Sequence, residues 1–415
     1  MAKATTEYVN VLRQPGVLTA FAASTLSAWG DNFTRIAIAA VVFNQTGSAL
    51  ATAATFAVAV LPAIFGRSLL AGIADRVRYK HVLVWVNLFR AGVLVAIALC
   101  VMAKVPIWVL LSLVVVSVLS EGPELSAHQM LWLDLLPDRL MYARYMGLGN
   151  VTKQLNQVVG LGIGGVLLLV MTPSQAVLFD AGTFVMAALA YGRVARLSPL
   201  LVEAGTGLAG FFADLASAAR YLRGDRILRN LLGLSLCAVW GMTAPEAVAV
   251  AYAGAHDNPG VGGLLMAAPI LGAATGLAMV SRWRPEVQND RLILLALVMP
   301  LPLLVTYADP APVVAGLLWF ACGVLQGFML PLQATFNLSI EPSMRARVFG
   351  LGGSIAVGCS GVAYLAAGWV ADLTAPATAV GLMALVSNVA IAVVFFRWPR
   401  QLLRSTVQSA YRTAP

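Results

Sequence analysis

The sequence predicts an all-α integral membrane protein of twelve transmembrane helices in two pseudo-symmetric six-helix halves. Three observations predict it. The 415 residues are 60% hydrophobic and only 11% charged, with a mean hydropathy of +0.84, whereas soluble proteins carry about 25% charged residues. Runs of roughly 20 apolar residues recur along the chain, each long enough to cross a bilayer. A segment entering the fifth run, Ala143-Arg-Tyr-Met-Gly-Leu-Gly149, returns as Ala346-Arg-Val-Phe-Gly-Leu-Gly352 entering the eleventh, the mark of an internal repeat.

Taken in order, the first half (residues 1–197) holds spans Gly16 to Phe43, Ala49 to Ile73, His81 to Ala103, Ile107 to Leu133, Arg144 to Met171 and Gln175 to Leu197. The second half (227–398) holds Ile227 to Ala253, Gly260 to Val280, Arg291 to Ala308, Val313 to Leu338, Arg347 to Val370 and Ala377 to Phe396, followed by a tail, 399–415. Residues 198–226 join the halves, and their end alternates apolar and basic residues as an interfacial helix does. The opening MAKATTEYVNVLRQPG lacks a cleavable hydrophobic stretch, so the first span is expected to stay.

With a cytoplasmic N-terminus, the outer connections hold only Lys104, and Arg35, Arg67, Arg90 and Lys153 lie within spans. Every other Lys and Arg falls on the inner side. That asymmetry sets both termini in the cytoplasm and accounts for the net charge of +9 without nucleic acid. Cys100, Cys237, Cys322 and Cys359 lie in apolar spans without ligand or disulfide spacing and read as packing residues. No metal site, cofactor site or catalytic domain is expected. The run Gly160-Leu-Gly-Ile-Gly-Gly165 lies inside a span, where small residues serve helix packing rather than phosphate binding.

The candidate site begins in span four, where Glu121, Glu124 and His128 fall at i, i+3 and i+7 on one helical stripe. A charge at bilayer depth costs roughly 2.5 kcal/mol or more, so the stripe must face protein or a wet cavity. Pro123 removes the donor that would meet the Leu119 carbonyl, a defect tolerated where neighbours or water repair it. Glu124 lies about 15 Å from the end of its span at Asp134, and Lys153 about 13 Å into span five from Arg144, so the two match in depth. They are expected to pair, as a clamp or as support for proton exchange at Glu121. Asp31 and Arg35 sit side by side at i, i+4 in span one. Alignment of Trp29-Gly30 with Trp240-Gly241 sets Arg35 opposite Glu246, a candidate extracellular gate. Trp29, Phe33, Trp240 and Phe328 are candidate cavity aromatics. Asn32, Asn156, Gln157, Gln326, Gln333 and Asn337 are candidate cavity amides, because an amide within a span seeks a cavity or another helix. Arg67 and Arg90 are assigned to contacts in the cytoplasmic half, and Asp180 to a structural role.

Four stretches carry a family resemblance: TLSAWGDNFTRIAIAAVVFNQTGSAL in span one, LLAGIADRVRYKHVL after span two, LLPDRLMYARYMGLGN after span four, and GLGIGG in span five. The chain resembles the major facilitator superfamily over essentially its whole length, and its drug and siderophore exporter branch in particular. The resemblance implies alternating access and export of a hydrophobic or amphipathic small molecule in exchange for protons. It also implies a cytoplasmic latch built from Gly72, Asp75, Arg76, Arg78 and Lys80. The corresponding second-half loop has Val280 where the acid would stand. Protons, the substrate and membrane lipids are the expected partners of a monomer in the cell membrane. Uptake, lipid flipping, and a transport-inactive sensor or scaffold on the same fold remain open alternatives.

Overall fold

A computed structural model of the chain describes residues 11–69, 77–138, 141–142, 145, 149, 152, 155–157, 159–161, 164, 167, 170–194, 208–341, 343–396 and 398. Nine helices among the described residues are long and apolar enough to cross a membrane, and the protein is multi-pass and helical. The chain divides into two compact units, residues 1–45 with 58–205, and residues 46–57 with 206–415.

The first unit contains α1 (Val17–Thr46), the rest of α2 (Ala49–Leu69), α3 (Tyr79–Met102), α4 (Ile107–Leu119), α5 (Glu121–Leu135) and α6 (Pro173–Val194). The described residues between Tyr145 and Leu167 are helical as well. Span four is expected as one helix but is broken at Ser120, whose N–H turns back to the Ser117 carbonyl at 3.2 Å. Pro123 explains the position, since its missing N–H would have bonded residue 119. The break starts a fresh helix at Glu121, which keeps the stripe of Glu121, Glu124 and His128 on one face. One end of this unit is closed by an apolar cluster including Val17, Leu83, Leu131, Trp132 and Tyr191. Tyr145 stacks on Trp132 there with ring centroids 4.0 Å apart, and Tyr79 Oη donates to Asp134 at 2.6 Å.

The second unit contains α7 (Leu208–Gly224), α8 (Arg226–Ala255), α9 (Gly262–Val280), α10 (Pro285–Val298), α11 (Leu301–Val305), α12 (Pro312–Leu325), α13 (Met329–Ser339), α14 (Arg345–Leu373) and α15 (Pro376–Phe396). Asp225 caps α8, accepting from the Ile227 and Leu228 amides at 2.7 and 3.1 Å. Span nine starts six residues earlier than expected because Pro285, with its fixed φ, opens the helix. Span ten is interrupted by a 3₁₀ turn over Gln326–Phe328, three residues before Pro331, the same device as in span four.

α9 and α12 cross with their backbones in contact. A Cβ added to Gly272 would overlap the Phe320 carbonyl, one on Gly276 that of Val324, and one on Gly323 that of Pro269. Only glycine permits this approach. The first turns of α2 also belong to this unit. Asp372, ending α14, accepts from Ser48 Oγ at 2.6 Å and the Ala49 amide at 2.5 Å. Gly368 lies against Ala49, Leu50 and Ala53, and Phe56 stacks on Tyr364 at 5.6 Å.

Candidate functional site

The site in the first unit is assembled on a residue that the sequence had assigned elsewhere. Arg90 of α3, expected to make contacts in the cytoplasmic half, is the buried hub of a carboxylate cluster. Its guanidinium reaches Asp31 of α1 at 2.9 Å, Glu124 of α5 at 3.0 Å and Glu121 at 3.7 Å, and it lies 4.2 Å from the ring centre of Phe184 in α6. A planar fork of five donors suits such simultaneous contacts, where a lysine ammonium would not. The Arg90 side chain is 7% accessible, whereas those of Asp31 and Glu121 are 40% and 33% accessible. The cation is enclosed while two of its three acids keep accessible surface.

The expected Glu124 to Lys153 pair cannot be located, because Lys153 lies outside the described residues. Glu124 is held instead by Arg90 and by Asn87 Nδ2 at 3.0 Å, and is only 15% accessible. Asn87, fully buried, also donates to the Leu83 carbonyl at 2.8 Å. Asp180 of α6 forms the far wall. It is fully buried and accepts from Thr34 Oγ1 of α1 at 2.6 Å and from Thr183 Oγ1 at 3.1 Å. A Cβ on Gly30 would overlap its carboxylate, so Gly30 is the opening in α1 that admits Asp180 beside Asp31. His128, on the same stripe, faces protein. Its ring meets Tyr191 edge-on at 5.0 Å, and its Nε2 is buried without a hydrogen-bond partner among the described residues.

The structure sorts the remaining candidates. Trp29 Nε1 donates to Asn156 Oδ1 at 3.0 Å, joining two residues 127 positions apart, and both are half-buried with Gln157. Asn32 and Phe33 are enclosed rather than cavity-lining. Asn32 Nδ2 bonds the Ala28 carbonyl at 2.8 Å, while Gly160 packs on Asn32 and Gly164 on Phe33. In the second unit Phe328 is fully buried and packs in the core, not on an open surface. Gln333 and Asn337 are exposed, and Gln326 and Trp240 half-buried. Arg35 belongs to the first unit and Glu246 to the second, where Glu246 accepts from Tyr364 Oη at 2.6 Å. Of the latch, Arg78 is exposed and Lys80 half-buried at the start of α3; Gly72, Asp75 and Arg76 lie outside the described residues.

The sequence reading named Arg90 and Asp180 but did not join them to the acids of spans one and four. The available signal was depth: both lie well inside spans and face acids or hydroxyls on neighbouring helices once the spans are bundled.

No family model and no curated protein matches this sequence. Solved structures do. The crystal structure of the nucleoside transporter NupG matches with a TM-score of 0.70 at 11% identity, covering 92% of this chain and 98% of that one. The chain shares the fold of this nucleoside transporter. The E. coli fucose:proton symporter FucP matches at TM-score 0.53 and 17% identity, over 92% of this chain and 98% of that one. A POT family transporter in complex with a thioalcohol-conjugated peptide matches at TM-score 0.69 and 11% identity, over 93% and 96%. At these identities the likeness is one of fold.

Proposed function

We propose that this chain is a secondary active transporter that moves a small organic solute by alternating access and couples that movement to protons. One observation carries the reading: the buried guanidinium of Arg90 serves three carboxylates, two of which keep a third or more of their side-chain surface accessible. Three acids converge on Arg90, so proton uptake at Asp31 or Glu121 loosens the hold of that acid and frees Arg90 to lean toward the others. Such a shift of hydrogen bonds is a local event able to bias a two-state bundle. Glu124 and Asn87 fix the arginine while this happens. Trp29 and Asn156 present an aromatic face and an amide beside it, suited to a solute with a ring and hydrogen-bonding groups.

Two directions of transport are distinguished by experiment. The sequence resemblance to the exporter branch favours export of an amphipathic molecule, although span five lacks the proline of that branch's antiporter motif. Likeness in fold to a fucose:proton symporter favours uptake together with protons. Purified protein in liposomes of known sidedness, with an imposed proton gradient and a panel of nucleosides, sugars, peptides and lipophilic cations, separates them. Solute flux running with the proton flux supports symport, and opposed flux supports antiport. Glu121→Gln is expected to abolish gradient-driven flux while retaining solute binding. Gradient-driven flux unchanged in both Glu121→Gln and Asp31→Asn would overturn the assignment of the cluster.

A further inference from the structure

The charge at the linker end of the second unit is not absorbed by the transport reading. Arg220 and Arg223 stand on α7, and Arg226 and Arg229 in the first turns of α8, all four exposed. None of the four forms an ion pair with a carboxylate among the described residues. The acid between them, Asp225, is already occupied as the cap of α8. Arg345 is exposed in the first turn of α14 and gives its Nε to the Ile340 carbonyl at 3.3 Å.

These cations are held in place. α7 packs on α14 and α8, with Ala218 and Leu222 buried on its inner side. Arg220 and Arg223 follow at two and one residues from these, which on a helix turns them to the opposite side. The Glu341 amide donates to Tyr221 Oη at 3.2 Å, tying α7 to the segment before α14. Arg229 Nη1 bonds the Arg223 carbonyl at 2.7 Å across the break between α7 and α8. Arg226 and Arg229 add charge at the positive end of α8, where the Asp225 carboxylate is the cap already engaged by the Ile227 and Leu228 amides.

Depth selects the anion. α8 has 30 residues, and α14 has 29, so each is about 45 Å long by helical rise, against roughly 30 Å of bilayer hydrocarbon. Their ends therefore stand among lipid headgroups, where the anion at hand is a phosphate. We propose that Arg220, Arg223, Arg226 and Arg229 form a docking surface for anionic phospholipid headgroups, which seats the linker helix on the bilayer. Guanidinium groups bind phosphate by paired N–H donors, and each adds to the attraction of an anionic surface.

The test uses the full chain reconstituted in nanodiscs of equal phosphatidylglycerol and phosphatidylcholine, then released and weighed intact by native mass spectrometry. Wild type is expected to retain phosphatidylglycerol over phosphatidylcholine by about 10-fold. Replacing all four arginines by Gln should abolish the preference, and replacing them by Lys should keep part of it. Arg282→Gln with Arg284→Gln, on another exposed loop, should leave it intact. Should the fourfold variant fail to fold, Arg220→Gln with Arg223→Gln, confined to the outward face of α7, is expected to weaken retention measurably. Equal retention of both lipids by wild type overturns the proposal, as does an unchanged preference in the Gln variants. Displacement of the lipid by inorganic phosphate at equal concentration also overturns it, since the site would then recognise free phosphate.

Discussion

The interiors of the two units are held by different chemistry. In the first, α1, α3, α5 and α6 meet through charge: Arg90 bridges Asp31, Glu121 and Glu124, and Asp180 accepts from two threonines. In the second, α9 and α12 meet backbone to backbone through Gly272, Gly276, Gly323 and Gly327. Neutral groups, with Glu246 bonded by Tyr364 Oη, complete the polar contacts there. Ser387 Oγ bonds the Cys237 carbonyl at 2.6 Å, Asn388 the Leu297 carbonyl at 2.8 Å and Thr335 the Asn289 amide oxygen at 3.0 Å. A glycine crossing has one tight geometry, because any slide meets a carbonyl. A cluster of ionisable groups has several arrangements of protons and hydrogen bonds that differ little in energy. The comparison assigns rigidity to the glycine pair and responsiveness to the charged one.

The largest expected effect tests the charged interior. Arg90→Leu leaves three carboxylates without their shared cation, and the expected loss is about 3–5 kcal/mol, the cost of breaking a buried pair from one side. Thermal unfolding in detergent should show it, with the deficit shrinking as the pH is lowered and the acids take up protons. Arg90→Lys is expected to recover part of the stability but not transport, because one ammonium cannot span the contacts at 2.9, 3.0 and 3.7 Å. A deficit independent of pH would mean that the hub acts by packing on Phe184.

Next comes the glycine interior. Gly276→Val forces α9 away from α12 and is expected to cost about 3 kcal/mol, the upper range for overpacking, with no dependence on pH. Gly350→Val serves as the control, since no atom lies within 4 Å of its added Cβ. A pH-dependent loss in Gly276→Val would blur the contrast between the units.

The spans were legible because hydrocarbon imposes length and composition on each of them separately. Pro123 announced the break in span four, but Pro331 was passed over, because a proline in an apolar run reads equally as a kink or as a tolerated packing residue. The acids of the site were legible for the same reason as the spans: a carboxylate in hydrocarbon is conspicuous. Their partner was not. Sequence offered Arg35 by spacing along one helix and Lys153, outside the described residues, by depth; the structure adds Arg90, from a third helix whose rotation no spacing rule sets. Phe33 and Phe328 failed as cavity residues on similar grounds, since an aromatic in a span is apolar enough to face core, lipid or solute alike.

A smaller effect probes how the first unit positions its acids. Gly30→Ala drives a methyl group into the Asp180 carboxylate, which Thr34 and Thr183 pin in place. The expected cost is about 1–2 kcal/mol. Adding Asp180→Ala removes the obstruction, so a double-mutant cycle should return a coupling of about 1 kcal/mol. Additive effects would show that Asp180 moves aside freely and does not fix α1 against α6.

The smallest effect compares the two tryptophans of the repeated Trp-Gly pair. Trp29 Nε1 has an acceptor, Asn156 Oδ1, at 3.0 Å. Trp240 Nε1 is buried with none among the described residues. Removing one partner of a made hydrogen bond costs about 1 kcal/mol, while removing a donor that lacks an acceptor costs nothing in bonding. Trp29→Phe should therefore destabilise by about that amount, and Trp240→Phe should be neutral or slightly stabilising, both read from unfolding midpoints in one detergent. Solute binding sharpens the contrast further. If the indole of Trp240 is kept unbonded to meet a solute acceptor, Trp240→Phe will weaken solute affinity about 10-fold at unchanged stability. Equal losses of stability in both variants would instead show that each indole acts as a packing ring, and the polar difference between the two units would then stop at the carboxylates.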